Sequence, residues 1–184
     1  MQRDNLWLTS FLTRNGFDVK VRYLHSGDAP HLLDVFNHMG EESRYQRFNQ
    51  SIEGMSTKRI WDEASQIAET TLADNRGLIA FADLPDQAHA PIAVARYVHI
   101  SPEKAEVAMS VRDDMQGQGV GTTLLNLLLE EAKSAGLQTL VGMLQNSNSG
   151  MWVVFDRIPY VVRRMPDGVV SDVEIDLTKL KMMS

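Results

Sequence analysis

Residues 111–123 read Val-Arg-Asp-Asp-Met-Gln-Gly-Gln-Gly-Val-Gly-Thr-Thr, a glycine-rich stretch that joins a strand-like segment to a helix-like one. The preceding residues alternate as in a strand, and the apolar residues that follow recur at helical spacing. The glycines allow positive φ and close approach of the backbone to a ligand. The free N–H groups of the first helical turn and the helix dipole favour an anion such as phosphate. The stretch therefore predicts a phosphate-binding loop.

The residue pattern of the loop allows several interpretations. A nucleotide P-loop requires a lysine before the hydroxyl residue, and Gly121-Thr122 has none. A dinucleotide fingerprint requires a shorter connection from strand to glycine and an acidic residue after the next strand. That strand ends here in Gly142-Met143-Leu144-Gln145. A tight turn without any ligand is also compatible with three glycines.

The residues around the loop fit a third kind of phosphate site, the pyrophosphate loop Gln/Arg-x-x-Gly-x-Gly/Ala. Gln116-Gly117-Gln118-Gly119-Val120-Gly121 has this form, the strand Ala105–Val111 precedes it, and Asn148-Ser149-Gly150-Met151 follows the next strand. In these features the chain resembles the GNAT family of acyl-CoA-dependent N-acyltransferases, over roughly residues 18–177. Within that family, Ser43–Phe48 and the strand at Ala105 are most similar to the bacterial protein lysine acetyltransferases.

The periodicity of the chain and the resemblance lead to the same fold class. An early strand is followed by two or three helices, three strands, a helix, a strand, a short helix and two terminal strands. This order predicts an α+β fold, with a mixed and mostly antiparallel sheet between helices in three α/β/α layers. We expect one domain over residues 1–184. Residues 1–17 are predicted as an N-terminal helical extension, because the apolar residues between 6 and 12 are spaced as in an amphipathic helix.

The resemblance implies direct transfer of an acetyl group from acetyl-CoA to a primary amine, with a protein lysine as one candidate acceptor. The sequence contains no cysteine, which agrees with direct attack because no acyl-cysteine intermediate can form. A lysine amine with a pKa of about 10.4 is deprotonated in only about four molecules in ten thousand at pH 7, which adds about 4.6 kcal/mol to the barrier. Arg44, Tyr45 and Arg47 lie in the segment that borders the acceptor site in the family, or else form a solvated helix face.

Glu106 is the predicted general base that removes the amine proton. Strand alternation places Glu106, Ala108 and Ser110 on one face, and the small Ala108 leaves space beside the carboxylate. The alternative is a solvated carboxylate at the start of a strand. The strand leads directly into the glycine loop, so a base at this position would lie near the reacting thioester.

The resemblance also implies a set of residues that bind acetyl-CoA. The backbone from Met109 to Val111 pairs with the pantetheine arm in the family, and its N–H groups polarise the thioester carbonyl. Asn148 matches a residue that contacts CoA, and it is equally suited to cap a helix. Arg112 is a nearby cation. The predicted cofactor-binding residues are Met109, Ser110, Val111, Gln116, Gly117, Gln118, Gly119, Val120, Gly121, Thr122 and Asn148.

Two residues depart from the family pattern. Phe155 stands where many members have a tyrosine that protonates the leaving thiolate, and Pro159 replaces the usual glycine. A thiolate with a pKa of about 8.5 leaves with little acid assistance. Tyr160 is either a substitute acid or a packing residue. These departures motivate an alternative function, a non-catalytic acyl-CoA-binding sensor or regulatory module; a dinucleotide oxidoreductase is a third hypothesis.

Composition limits the remaining function classes. The 184 residues are 43% hydrophobic and 23% charged, which is typical of a globular domain. Without cysteine there is no disulfide scaffold or iron–sulfur ligation, and the five histidines show no metal-ligand spacing, so no metal is expected. A net charge of -6 disfavours nucleic acid and anionic membranes as partners and favours a cationic amine. No export or membrane signal is found, so a cytoplasmic protein is expected; a homodimer stays open.

Overall fold

The computed structural model describes residues 6–48, 56–70 and 76–182. No helix in these parts of the chain is long and apolar enough to cross a membrane. The strands and helices alternate much as the periodicity indicates. In chain order they are β1 (Thr9–Leu12), β2 (Asp18–Tyr23), α1 (Ala29–Asn37), α2 (Glu41–Phe48), α3 (Thr57–Thr70), β3 (Arg76–Leu84), β4 (Gln87–Ser101), β5 (Lys104–Val111), α4 (Val120–Ser134), β6 (Thr139–Gln145), α5 (Ser149–Arg157), β7 (Tyr160–Asp167) and β8 (Val170–Leu180).

The strands form one mixed sheet in the order β1-β2-β3-β4-β5-β6-β8-β7. Every neighbouring pair is antiparallel except β5 and β6, which run parallel. A parallel pair needs a crossover connection, and α4 supplies it. The predicted mixed, mostly antiparallel sheet is therefore confirmed.

Helices cover both faces of the sheet because its central strands are apolar on both sides. On one face Ile79 and Phe81 pack with Leu32 of α1 and Ala64 of α3. On the other face the neighbouring strand residues pack against α4, whose Leu124 is completely buried. Burial of a leucine-sized side chain contributes roughly 1.5–3 kcal/mol, so each layer is strongly held. The predicted three-layer α/β/α arrangement is confirmed.

The N-terminal segment differs from the predicted helical extension. Residues 9–12 form β1, an edge strand that pairs with β2 from Thr9↔Val21 to Leu12↔Asp18. Thr9 and Phe11 are half-buried, whereas Ser10 and Leu12 are exposed, which is the alternation of a strand. The free edge of β2 therefore decides the conformation, because pairing there satisfies backbone groups that a helix would leave unpaired. Residues 1–5 lie outside the described residues.

A buried ion pair fixes the start of α1 against β2. The guanidinium of Arg22 donates to both carboxylate oxygens of Asp28, each at 2.7 Å. The backbone N–H of His25 and the Nδ1 of His31 reach the same carboxylate at 2.9 Å. Burial alone would raise the pKa of Asp28, but the hydrogen bonds from Arg22 and His31 hold it well below its usual value. This cluster connects the sheet to the helix that follows it.

Candidate functional site

The candidate site lies where β5 and β6 part from each other. The two strands pair at only three positions, from Lys104↔Thr139 to Glu106↔Val141. Beyond this point β5 stays paired with β4, and β6 stays paired with β8. The divergence opens a cleft of about 620 Å³, with residues 107–111 on one wall and 141–144 on the other. A sheet that splits in this way leaves the two inner strand edges accessible from the cleft.

The backbone of β5 presents hydrogen-bonding groups to this cleft. The N–H of Arg112 donates to the carbonyl of Ile92 at 3.0 Å, on the β4 side. Because successive N–H groups of a strand point to opposite sides, those of Met109 and Val111 point away from β4 and toward the cleft. Gly142 lies on the opposite wall, where a Cβ would come within 3.3 Å of the Val107 carbonyl oxygen. The site thus combines an open strand edge with a close approach of the two strands at the point where they separate.

The glycine loop closes one end of the cleft at the start of α4. Gly117 and Gly119 have φ of +71° and +93°, a region that side chains disfavour, and Gly119 is the residue before the helix. Gly119 has no side chain with which to cap this helix start. The N–H groups of its first turn, which includes Gly121 and Thr122, therefore have no partner within the helix and are available to an anion.

Two members of the predicted cofactor set face the protein interior. Gln118 and Val120 are both buried, and neither side chain lines the cleft, so only their backbone is available to a ligand. The Gln118 amide donates to the Asp114 carbonyl at 3.1 Å and shapes the loop from inside. Gln116 lies at the rim, where its amide contacts Asp113 at 3.1 Å. The other predicted residues line the cleft: Met109, Ser110, Val111, Gln116, Gly117, Gly119, Gly121, Thr122 and Asn148.

Arg14 is a cleft residue that the sequence reasoning missed. It lies in the turn between β1 and β2, and its backbone N–H donates to the Gln118 carbonyl at 3.1 Å. Its Nη1 donates to the Gly117 carbonyl, also at 3.1 Å. These bonds place a cation directly beside the glycine loop. No local motif marks this arginine, because its position depends on β1 being a strand.

Arg112, the cation expected near the phosphates, is instead neutralised in the interior. It is 1% exposed, and its Nε and Nη2 donate to the carboxylate of Asp114 at 3.0 and 2.8 Å. Its Nη1 donates to Gln87 at 2.7 Å. The short helical turn after β5 directs the side chain away from the cleft. Arg112 therefore supports the loop, and Arg14 carries the charge beside it.

Glu106 occupies the rim where the two strands separate, and it lines the cleft. It lies opposite Val98 on β4, so it shares a sheet face with Arg96, which is opposite Ala108. Burial, followed by the charge of Arg96, lowers the pKa of Arg47 to about 10, while Glu106 acts in the opposite direction. Burial also lowers the pKa of Arg96, again against the charge of Glu106. The carboxylate therefore lies in the field of two guanidinium groups.

The opposite wall holds Asn148 and Phe155, two further residues singled out from the sequence. Asn148 caps α5 through its Oδ1, which accepts from the Met151 N–H at 3.0 Å, and it lines the cleft as well. Phe155 is a buried part of the same wall. Tyr160 does not reach the cleft: its hydroxyl donates to Glu130 at 2.8 Å, and burial, with this carboxylate, raises its pKa to about 12. Tyr160 is thus a packing residue.

Comparisons with known proteins agree with this architecture. Residues 40–157 match the sequence model of the Acetyltransferase (GNAT) family. Acetyltransferase Pat of Mycolicibacterium smegmatis is 36% identical over 88 residues, which are 47% of this chain and 26% of that protein. The GNAT domain of S. lividans PAT has a TM-score of 0.76 at 25% identity, covering 91% of this chain and 96% of that domain.

A longer protein shares the fold with a lower TM-score. The cAMP-binding acyltransferase from Mycobacterium smegmatis has a TM-score of 0.59 at 27% identity, covering 92% of this chain and 46% of that protein. This chain therefore matches about half of that protein and about a quarter of the curated Pat relative. The family match extends over more than half of the chain and includes both walls of the cleft. The chain belongs to the GNAT family of acetyltransferases.

Proposed function

We propose that this protein transfers an acetyl group from acetyl-CoA to a primary amine by direct attack within a ternary complex. One observation carries the proposal: the separation of β5 and β6 at Glu106. That separation brings an open strand edge, an uncapped helix start and a carboxylate into the same cleft. Each corresponds to one requirement of the reaction, namely a site for the pantetheine amides, a site for phosphates and a base.

Local groups have to bind the anionic co-substrate, because the chain as a whole carries a net charge of -6. The first turn of α4 offers backbone N–H groups to the pyrophosphate, and Arg14 adds a positive charge next to them. The N–H groups of Met109 and Val111 suit the amides and the thioester carbonyl of an extended arm. Asn148 is available at the opposite wall.

The chemical step follows from these positions. The deprotonated amine attacks the thioester carbonyl carbon, so that a C–N bond forms and the C–S bond breaks. The amine proton passes to the Glu106 carboxylate, directly or through a water molecule. The electron pair of the broken bond leaves on the CoA sulfur, whose thiol pKa is close to about 8.5, so the thiolate departs without an obligatory acid. Phe155 in place of a proton donor is compatible with this route.

A second candidate function is a non-catalytic acyl-CoA sensor or regulatory module. Phe155 favours it, because no tyrosine lines the cleft in the described part of the chain. The two functions differ in turnover. Acetyl-CoA binding without transfer to any acceptor would support the sensor.

The test of the proposed function combines native mass spectrometry with a transfer assay. We expect the purified protein to retain CoA or acetyl-CoA, and to transfer a labelled acetyl group to members of an amine library that includes free amines and lysine peptides. Binding without any labelled product would contradict acetyl transfer. Failure to bind acetyl-CoA would exclude the sensor as well.

Arg14→Gln is expected to raise the Kd for acetyl-CoA about 3- to 10-fold, because it removes the cation beside the loop. The affinity of the wild type should fall more steeply with salt than that of the variant. Isothermal titration at low and high salt measures both effects. Arg163→Gln is the matched control, since Arg163 is exposed and pairs with Glu174 on the β7–β8 ribbon. Equal Kd values for Arg14→Gln and the wild type at low salt would contradict the assigned role.

A further inference from the structure

A second cavity, of about 130 Å³, lies between the sheet and helices α1 and α3. It meets the cleft at Met39, Arg47 and residues 108–110, which line both spaces. If a pantetheine arm binds along β5, the thioester at its end would lie at this junction. Most of its wall is apolar, including Leu32, Phe36, Ile60, Ala64, Ile67 and Val94. The cavity is therefore positioned to bind the apolar part of an acceptor whose amine reacts at the junction.

Arg96 is one of the charged residues in this wall. It is half-buried on β4, and its Nε is a buried donor with no hydrogen-bond partner in the described structure. None of the carboxylates among residues 6–48, 56–70 and 76–182 forms an ion pair with it. Buried donors on charged groups are costly when left unpaired, and folded proteins normally satisfy them. An unsatisfied guanidinium N–H at a cavity wall therefore points to an acceptor group on a ligand.

The charges around the cavity favour an anion. Among the described residues, Arg47, Arg59 and Arg96 line it together with one carboxylate, that of Glu63, and Glu106 acts from the neighbouring cleft. The Nε of Arg96 is buried, and this burial lowers the pKa of its guanidinium. A lysine side chain would bring a further positive charge next to this group. A carboxylate would instead be attracted and could bind the planar guanidinium through two hydrogen bonds.

We propose that the acceptor is a small amino acid whose carboxylate binds Arg96 and whose apolar side chain fills the second cavity. The proposal deepens, and rests on, the proposed acetyl transfer. Arg96 and Glu106 lie diagonally on neighbouring strands and on one face, a placement that corresponds to about 7–8 Å between their Cα atoms. A molecule that places its carboxylate on Arg96 thus has its amine within reach of Glu106 and the junction.

The experiment compares matched acceptors that differ only in the carboxylate. L-Leucine, L-methionine and L-phenylalanine are paired with isopentylamine, 3-(methylthio)propylamine and phenethylamine, and a set of lysine peptides is included. We expect the wild type to prefer the amino acid of a pair by about 100-fold in kcat/KM. Arg96→Met should lower the ratio of kcat/KM for the amino acid to kcat/KM for its plain amine at least about 30-fold, a ratio from which any effect of Arg96 on Glu106 cancels. Arg96→Lys, which keeps the charge, should show a preference for the amino acid that is intermediate between those of the wild type and Arg96→Met.

A binding measurement separates this inference from the transfer activity. 4-Methylpentanoate, which is leucine without its amine, should raise the Tm of the wild type and leave that of Arg96→Met unchanged. Circular dichroism checks that the variant is folded, and Arg163→Gln should behave as the wild type in every assay.

The possible outcomes are distinguishable. Transfer to lysine peptides with no preference for a carboxylate overturns this inference and leaves the proposed function standing. A preference for amino acids that Arg96→Met does not reduce also overturns it. Binding of 4-methylpentanoate that requires Arg96, without transfer to any amine, supports the carboxylate site and overturns the proposed acetyl transfer.

Discussion

Replacement of Glu106 by glutamine is expected to lower kcat by about 10²- to 10⁴-fold, the usual contribution of a positioned general base. Glutamine keeps the size and polarity of the side chain but cannot accept the amine proton. The Kd for acetyl-CoA should stay close to that of the wild type, because the glycine loop and the edge of β5, which are proposed to bind it, are unchanged. Steady-state transfer kinetics and isothermal titration measure the two effects separately.

The pH dependence makes this test more selective. The base is needed because the amine is protonated at neutral pH, so the deficit of Glu106→Gln should shrink as the pH approaches about 10.4. Glu103→Gln is the matched control, since Glu103 is exposed in the turn of the same hairpin and lines neither cavity. A variant with the wild-type rate throughout the pH range would remove Glu106 from the mechanism.

Asp28→Ala is expected to destabilise the fold by about 3–5 kcal/mol, the cost of leaving one partner of a buried ion pair uncompensated. The substitution removes both hydrogen bonds to the Arg22 guanidinium, and the side chains of the two residues are 4% and 0% exposed. It also removes the acceptor for the backbone N–H of His25. Urea unfolding followed by circular dichroism measures the loss.

The same carboxylate predicts an acid-dependent loss of stability. The pKa of Asp28 is lower in the folded protein than its unfolded value of about 3.9, so its stabilisation is complete above that value and is lost as the pH falls below it. Asp28→Asn should therefore show a flatter dependence of unfolding free energy on pH in this range. Asp62→Ala breaks an exposed pair with Lys58 and should cost less than about 1 kcal/mol. A similar cost for both alanine variants would contradict the role given to the buried pair.

Most of the fold was predictable because its signals are local. The strand Lys104–Val111, the positive-φ glycines and the helix from Val120 follow one another in the sequence, so their order reveals the turn. Residues 9–12 were assigned wrongly because their apolar spacing suits a helix as well as a strand. The choice depends on the unpaired edge of β2, a partner that lies outside any local window.

The difference between local signals and distant contacts also explains which residues of the candidate site could be predicted. Glu106 and Asn148 were predicted at positions that line the cleft, because each has a fixed position relative to a strand or helix end. Arg14 was not, since it is 103 residues away from the Gly117 carbonyl that it contacts. Arg112 was expected to be a cation near the phosphates because it is close to the loop in sequence. Asp114 and Gln87 instead bind its guanidinium in the interior. Nearness in sequence to the loop predicts well which residues lie at a strand end. It predicts poorly where a charged side chain points.

The separation of β5 and β6 gives this sheet four edges instead of two. The outer edges belong to β1 and β7, and two inner edges face each other across the cleft beyond Glu106 and Val141. An exposed edge normally invites a foreign strand, but the opposite wall limits the space here, and a Cβ at Gly142 would come within 3.3 Å of the Val107 carbonyl oxygen. Only a thin, extended chain of amides can pair there. A bound pantetheine arm would thus act as a surrogate strand that completes the sheet, and its binding should raise Tm as a missing strand would.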